Sequence, residues 1–407
     1  MKCRHCHSSL DHVFLDLGFA PPSNAYLTVD ELKTAEKIYP LKVRVCSSCW
    51  LVQTEDYTDT DELFNRNYAY FSSTSTTWLI HAEKYVEKII AQLSLSKKSM
   101  VVEIASNDGY LLKNFVAKDI PCLGVEPTDS TAAAAEKLGI PVLREFFGEK
   151  LGKELCAKGF SSDLIIGNNV YAHVPDINDF TLGLKALLNI NGTITLEFPH
   201  LLSLLQYSQF DTIYHEHFSY LSLYTVKHIF EKAGLRIYGV EEIPTHGGSL
   251  RIFGCHKDNN RKASSAVESI LGKERKAGLH DISTYLNFQY KVEKIKKDLI
   301  SFLVEQKNNG KKVVAYGAAA KGNTLLNYAG IKEDVLPFIC DASVSKQDKF
   351  MPGSHIPIVH PKLINNYRPD YVIILPWNIK DEIMEQLKYI HQWCGKFVTV
   401  IPNLEII

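Results

Sequence analysis

Met100-Val101-Val102-Glu103-Ile104 runs into Ala105-Ser106-Asn107-Asp108-Gly109-Tyr110-Leu111-Leu112, and the next apolar run is Cys122-Leu123-Gly124-Val125-Glu126. A short, nearly unbroken apolar run reads as a strand buried on both faces of a parallel sheet. The small and polar residues after Ile104 read as a turn opening a helix. Strand, turn, helix, strand, then an acid about twenty residues on, is the layout of a doubly wound nucleotide-binding unit. Ligands of such units lie beyond the carboxyl ends of the strands.

The turn holds one glycine instead of a dinucleotide fingerprint, so a pyrophosphate would not approach it closely. A nucleoside ligand without phosphates fits better, and S-adenosylmethionine (SAM) is one. Glu126, with Pro127 beside it, would take the ribose hydroxyls. Glu103 belongs to the expected cofactor set, and the backbone around Asn107, Asp108 and Gly109 would approach the methionine end.

The alternation continues. A strand at 164–167 ends in Asn168-Asn169-Val170-Tyr171-Ala172-His173, and one at 192–197 ends in Phe198-Pro199-His200. Asn168 and Asn169 join the cofactor set, and Asn168, His173 and His200 should project into one crevice. Asp211-Thr212-Ile213-Tyr214-His215-Glu216-His217-Phe218-Ser219-Tyr220 follows on the same side. It has neither helical nor strand periodicity. Its density of histidine, carboxylate and phenol in an apolar frame suits acid-base chemistry. A helix and two strands come next, joined by Thr245-His246-Gly247-Gly248-Ser249-Leu250-Arg251. That connection suits either close backbone approach to a ligand or a tight hairpin turn.

A second α/β unit opens at Lys312-Val313-Val314-Ala315-Tyr316 with the turn Gly317-Ala318-Ala319-Ala320-Lys321-Gly322-Asn323-Thr324, and a later strand ends in Cys340-Asp341. The lysine precedes the second glycine, so a Walker grip does not form. Small residues at a helix start, with Lys321, make a pyrophosphate cradle. With Asp341 at the ribose spacing, the same turn also supports an alternative, an NAD-dependent sugar-nucleotide oxidoreductase.

Cys3-x-x-Cys6 and Cys46-x-x-Cys49 can place four thiolates around one structural zinc ion. The intervening segment, Pro-rich and polar, is expected to offer little core, so the metal would supply folding energy. His5 or His7 could replace a ligand. Nine cysteines in all, an odd number, do not suggest a disulfide framework. Helices are expected from Thr60 to Phe64 and from Ser75 to Leu93, with Tyr68, Tyr70 and Phe71 in the break as a lid. Residues 262–308 read as a charged helical arm with Leu286, Val292, Ile295, Leu299 and Leu303 on its apolar stripe.

The chain has 407 residues, 45% apolar and 22% charged, with a net charge of -1. That balance argues against a nucleic-acid partner held by bulk charge. No apolar run reaches the length of a membrane span, and the start lacks the apolar core of a signal peptide. A cytoplasmic monomer is the expectation.

Taken together, the cysteine pairs, 68–73, 103–109, 168–173, 214–220, 246–251 and 316–323 make the chain resemble the C-methyltransferases of nucleotide-linked 4-keto-6-deoxysugars. The resemblance spans essentially the full length. It implies an α/β fold with a small zinc-binding N-terminal module, a central Rossmann-like SAM domain and a C-terminal Rossmann-like domain that helps hold the sugar nucleotide. The expected division is 1–56, a helical lid and linker 57–97, 98–260, a helical connector 261–310, and 311–407. His217 resembles the family's general base. Tyr214, Glu216, His173 and Tyr68 would line the sugar site, and Lys321 and Asn323 match the nucleotide-holding turn. Tyr70, Phe71, His246 and Arg251 complete the expected substrate set. The mechanism implied is removal of the C3 proton by His217, with Tyr214 or a protonated His173 hydrogen-bonded to the enolate oxygen.

Overall fold

The described residues form three sheets. The computed structural model describes residues 1–57 and 71–407; the expected helix from Thr60, and Tyr68 and Tyr70, lie outside the described residues. The central sheet has seven strands. From edge to edge they are Leu235–Ile243, Ser249–His256, Leu188–Pro199, Ser162–Asn168, Val101–Ile104, Cys122–Val125 and Val142–Leu143. All run parallel except Ser249–His256, which is antiparallel to both its neighbours. Strand order reverses at Val101–Ile104, so its carboxyl end is the switch point where α/β sheets open a ligand crevice. The strand is fully buried, as its unbroken apolar run required.

The turn after it depends on one glycine. Gly109 has φ +77°, and a Cβ there would lie 2.4 Å from Ile140 Cδ1. The helix Thr76–Leu93 packs beside the turn. Ser75 caps it by accepting from Trp78 N, and Ser94 ends it in the left-handed region.

The C-terminal sheet repeats the logic, in the order Ile358–Val359, Ile339–Cys340, Val313–Tyr316, Tyr371–Ile374, Lys396–Thr399 and Glu405–Ile406. Its switch point is the carboxyl end of Val313–Tyr316, where Gly317 turns with φ +93° against Pro376. Asp341, at the spacing of a ribose acid, instead accepts from Ala318 N at 2.7 Å and from Ser343 N at 2.8 Å. Both its oxygens thus accept from nearby backbone N–H groups.

The N-terminal module has more core than expected. His12–Ala20, Tyr39–Val45 and Val52–Thr54 form an antiparallel sheet, and Phe14, Leu15, Leu41, Val43 and Val45 are buried. The period-two alternation of Leu41-Lys42-Val43-Arg44-Val45 signals this face. Its cover comes from far along the chain: Phe288 of the helix Phe288–Asn308 stacks on Phe14 with ring centroids 5.0 Å apart. Val292, Ile295, Leu299 and Leu303 continue that stripe into the core. Leu286 does not; it ends the short helix Ile282–Leu286 and is exposed.

The fourth strand of the N-terminal sheet is Ser219–Tyr220, which pairs with Val52–Gln53. The histidine-rich segment therefore leaves the central domain and completes another sheet. No helix among the described residues is long and apolar enough to cross a membrane.

Replacing Gly109 with alanine combines a positive φ with a Cβ clash. Gly109→Ala should lower unfolding stability by about 2–4 kcal/mol in urea titrations. An unchanged midpoint would contradict the packing described for this turn.

Candidate active site

A cavity of about 690 Å³ lies between the carboxyl ends of the central sheet and the Gly317 turn. Glu126, Pro127 and Asn107 form one end, with Phe146, Phe147 and Phe180 as an apolar flank; His173, Tyr214, His217 and His246 stand in the middle; Ala319, Ala320 and Lys321 close the other end.

At the first end, Glu126 Oε2 accepts from Asn107 N at 2.9 Å and Oε1 from Thr128 N at 3.0 Å. Asn107 itself stands at φ +51°. Its Oδ1 accepts from Ser72 N, and Asp108 Oδ2 accepts from Ser73 N. The segment after Phe71 is thus strapped over the turn, in line with a lid; Phe71 itself is not part of the wall. Glu103, Asp108 and Gly109 back the turn and do not line the cavity.

Buried polar atoms without a protein partner gather here: both oxygens of Glu103, Ser106 Oγ, Asp108 Oδ1, both amide atoms of Asn168, and Asn169 Oδ1. Burial, reinforced by Glu126 and Asp108, pushes the Glu103 carboxyl well above its usual range. Unmet buried groups are costly, so such a concentration marks a ligand site. Carboxyl and amide groups around a turn of this shape, with an acid at the cavity edge and aromatic rings nearby, fit SAM, whose ammonium, ribose and adenine need these three surroundings.

In the middle, the carbonyls of Thr212, Ile213, Glu216 and His217 are each met by a side chain. His217 Nδ1 is 2.8 Å from Thr212 O. A carbonyl only accepts, so the ring proton sits on Nδ1 and Nε2 keeps its lone pair. Burial and the nearby His173 hold the His217 pKa well below the ordinary histidine value. Tyr214 packs at 4.0 Å between ring centroids and His173 at 4.5 Å. Thr324 Oγ1 donates to Ile213 O at 2.8 Å, and Thr54 Oγ1 to His217 O at 3.2 Å.

The expected protonated His173 is corrected. Burial lowers its pKa to about 4, and its Nδ1 donates to Glu216 O at 2.7 Å, so it is neutral at pH 7. The Glu216 side chain is corrected too. It is buried outside the cavity wall and accepts from Asn24 Nδ2 at 3.0 Å, and burial raises its pKa.

Two expected substrate residues also fall outside the wall. Arg251 is ion-paired to the fully buried Glu197 at 2.6 Å and lies over the Tyr85 ring. Strand alternation turns it away from the cavity. Asn323 is buried in the helix Ala320–Ala329, where its Oδ1 accepts from Asn327. His200, expected in the crevice, bonds Glu274 at 2.7 Å instead; that carboxylate also takes the Leu223 and Tyr224 N–H groups.

His246 does line the cavity. It stands at φ +54°, followed by Gly247 at +87° and Gly248 at +119°. At the far end Lys321 Nζ donates to Asn378 Oδ1 at 2.9 Å and sits 4.5 Å from the Trp377 ring centroid. Trp377 Nε1 donates to Asp211 Oδ2 at 2.6 Å. Burial pushes Asp211 up to about 6 and Lys321 down to about 8. Asn24, Trp78 and Lys346 also line the cavity. Each is a single residue with no motif around it, so nothing in the sequence marked them.

The cysteine pairs meet as expected. All four Sγ atoms lie within 4.8 Å of one another, with Cys3 and Cys49 at 3.6 Å and Cys6 and Cys46 at 3.5 Å. A tetrahedral zinc with Zn–S near 2.3 Å needs sulfur edges of about 3.8 Å, so the set fits zinc. Gln53 Nε2 donates to Cys3 Sγ. His5 is not a ligand; its Nδ1 bonds Asn178.

Residues 78–240 match the family model described as a methyltransferase domain, 244–402 that of a C-methyltransferase C-terminal domain, and 3–64 that of a zinc binding domain. The C-methyltransferase NovU of Streptomyces niveus is 32% identical over 406 residues, covering 100% of this chain and 96% of the relative. Among solved structures, magnesium protoporphyrin IX methyltransferase of Synechocystis with bound SAM is 14% identical, covering 49% of this chain and 98% of that one, with a TM-score of 0.36. A SAM-dependent methyltransferase of Anabaena variabilis is 13% identical over 44% of this chain and 85% of its own, with the same score.

The full-length match, the domain models and the cavity at the switch point define a SAM-dependent methyltransferase with an N-terminal zinc site. The chain belongs to the C-methyltransferase family.

Metal analysis of the purified protein should return one zinc per chain. Cys46→Ser should lose that zinc and melt at a lower temperature, because the metal holds the start of Val52–Thr54. Full zinc occupancy in the variant would contradict a four-thiolate site.

Proposed function

We propose that this C-methyltransferase acts on C3 of a nucleotide-activated 4-keto-6-deoxyhexose, with His217 as the general base. The observation that carries the reading is the His217 Nδ1 to Thr212 carbonyl bond, which leaves Nε2 as the basic atom of a ring in the cavity wall. A hydrogen on the carbon beside a ketone can leave because the charge spreads onto the carbonyl oxygen. An imidazole held neutral takes such a proton at ordinary pH.

SAM, when bound, supplies a methyl group on a sulfonium that departs as a neutral thioether. Glu126 and Asn107 would hold its ribose, and Asn168 and Asn169 its methionine end. Tyr214, packed on His217, keeps the imidazole from rotating. Lys321 and Lys346, both in the cavity wall, suit the negative charge of a nucleotide diphosphate. Carbon as the acceptor draws support from the relative named C-methyltransferase NovU; the sugar nucleotide draws on the two lysines and on the resemblance in sequence. On this reading, residues 1–56 scaffold the base loop, 98–260 bind the cofactor and 311–407 hold the sugar nucleotide, with 57–97 and 261–310 as lid and connector.

Incubating the protein with SAM and a panel of 4-keto-6-deoxy sugar nucleotides should give, by mass spectrometry, a product carrying one added methyl group. No methylated product from any of them would sink the substrate reading. His217→Asn should still bind SAM yet lose both methyl transfer and exchange of the C3 proton with D2O; exchange at the wild-type rate would name another base.

The pH profile gives a separate check. The base loses activity only when Nε2 is protonated, and the His217 pKa lies well below 6.5. The acid limb of kcat/KM should therefore fall below pH 6.5, and an inflection above it would contradict a buried neutral base.

A further inference from the structure

We propose that His246 is the residue that holds the enolate oxygen, as a neutral imidazole donating its Nδ1–H. The inference rests on the reading of the substrate as a ketone with a removable α-proton.

Three histidines line the cavity, and their partners fix their tautomers. His173 Nδ1 and His217 Nδ1 each face a backbone carbonyl oxygen. Both therefore carry the proton on Nδ1 and present Nε2 as the acceptor side. His246 is reversed. Its Nε2 lies 3.2 Å from Asn169 Nδ2, an amide nitrogen that only donates. Nε2 must accept, so the proton of a neutral His246 sits on Nδ1. The wall thus holds two imidazoles of one polarity and one of the other. Enolisation needs this asymmetry, an acceptor for the proton and a donor for the oxygen.

The reversed tautomer is built in. His246 and Asn169 come from different strand ends and both stand in the left-handed region, at φ +54° and +53°. Non-glycine residues held there by a surrounding structure concentrate at functional sites. Trp78 packs 5.4 Å from the His246 ring centroid. Burial, with the positive charge of Lys321, lowers the His246 pKa to about 4, so the ring stays neutral. A neutral imidazole N–H can polarise a carbonyl without giving up its proton, as in other enzymes that enolise ketones.

In the step itself, the C3–H electron pair becomes the C3=C4 bond and the carbonyl π pair moves onto oxygen. The proton goes to His217 Nε2, and His246 keeps its own proton and shares it in the hydrogen bond.

Two readouts test this. In histidine-15N-labelled protein without ligands, the signal lost in His246→Gln should be a neutral ring protonated on Nδ1. In D2O, His246→Leu should slow C3 exchange, and methyl transfer with it, by about 10²–10³-fold, the usual cost of one oxyanion donor. SAM affinity should be unchanged, and His246→Gln, which keeps an N–H, should recover part of the rate. Should His246→Leu not fold, the 15N tautomer of the wild-type His246 ring decides by itself, because it is read on the unmutated protein.

An Nε2–H tautomer in the wild type overturns the proposal. So does wild-type exchange in His246→Leu, or a loss found in Tyr214→Phe and absent from His246→Leu. If the wild type exchanges no α-proton of any keto sugar, the substrate reading fails first and takes this assignment with it.

Discussion

The site depends on where the carbonyl groups of one irregular loop find their donors. Beyond the short turn at Phe210–Thr212, the loop before Ser219–Tyr220 has no helix or ladder to satisfy its backbone, and buried carbonyls are costly to leave unmet. The donors come from three parts of the chain. Thr324 and Trp377 of the C-terminal domain hold Ile213 O and the Asp211 carboxylate. His173 of the central domain holds Glu216 O. Thr54 of the N-terminal module holds His217 O by its hydroxyl and Phe218 O by its N–H. The segment that carries His217 is thus held from all three, which ties the zinc module to the cavity wall without placing metal in it.

Burial then sets the charges. A low-dielectric wall disfavours any isolated ion, so the histidines are neutral, Asp211 titrates near 6 and Lys321 near 8. The Glu197 carboxylate, fully enclosed, stays ionised because Arg251 and His81 surround it. This ion pair ties Ser249–His256, the strand that follows the His246 turn, to Leu188–Pro199, outside the cavity wall. The partnerless atoms near Glu103 and Asn168 are the complement: buried polar groups that no protein atom meets.

Much of this was legible in the chain. The apolar runs at 101–104, 122–125 and 313–316 are strands where expected, because a buried parallel strand needs nothing beyond local hydrophobicity. Two CxxC pairs specify four thiolates, and their chemistry leaves few alternatives to zinc. The crowding of histidine, glutamate and tyrosine at 211–220 marked a segment that reaches the cavity wall, though not which of its side chains do so. Neighbours there diverge: His217 faces the cavity and Glu216 turns to Asn24. A loop without periodicity carries no rule for which side chain points inward. Arg251 looked like a ligand residue because sequence cannot reveal that Glu197 waits on the adjacent strand.

The sequence by itself determined the two doubly wound units, the thiolate set and the histidine-rich segment that reaches the cavity, since each follows from residue type and short-range spacing. Tertiary structure alone decided the tautomers of His173, His217 and His246, the closure of the N-terminal sheet by Ser219–Tyr220, and the entry of Asn24, Trp78 and Lys346 into the wall. Those features are contacts between residues far apart in the chain. Hydrogen-bond direction and burial exist only once both partners are in place.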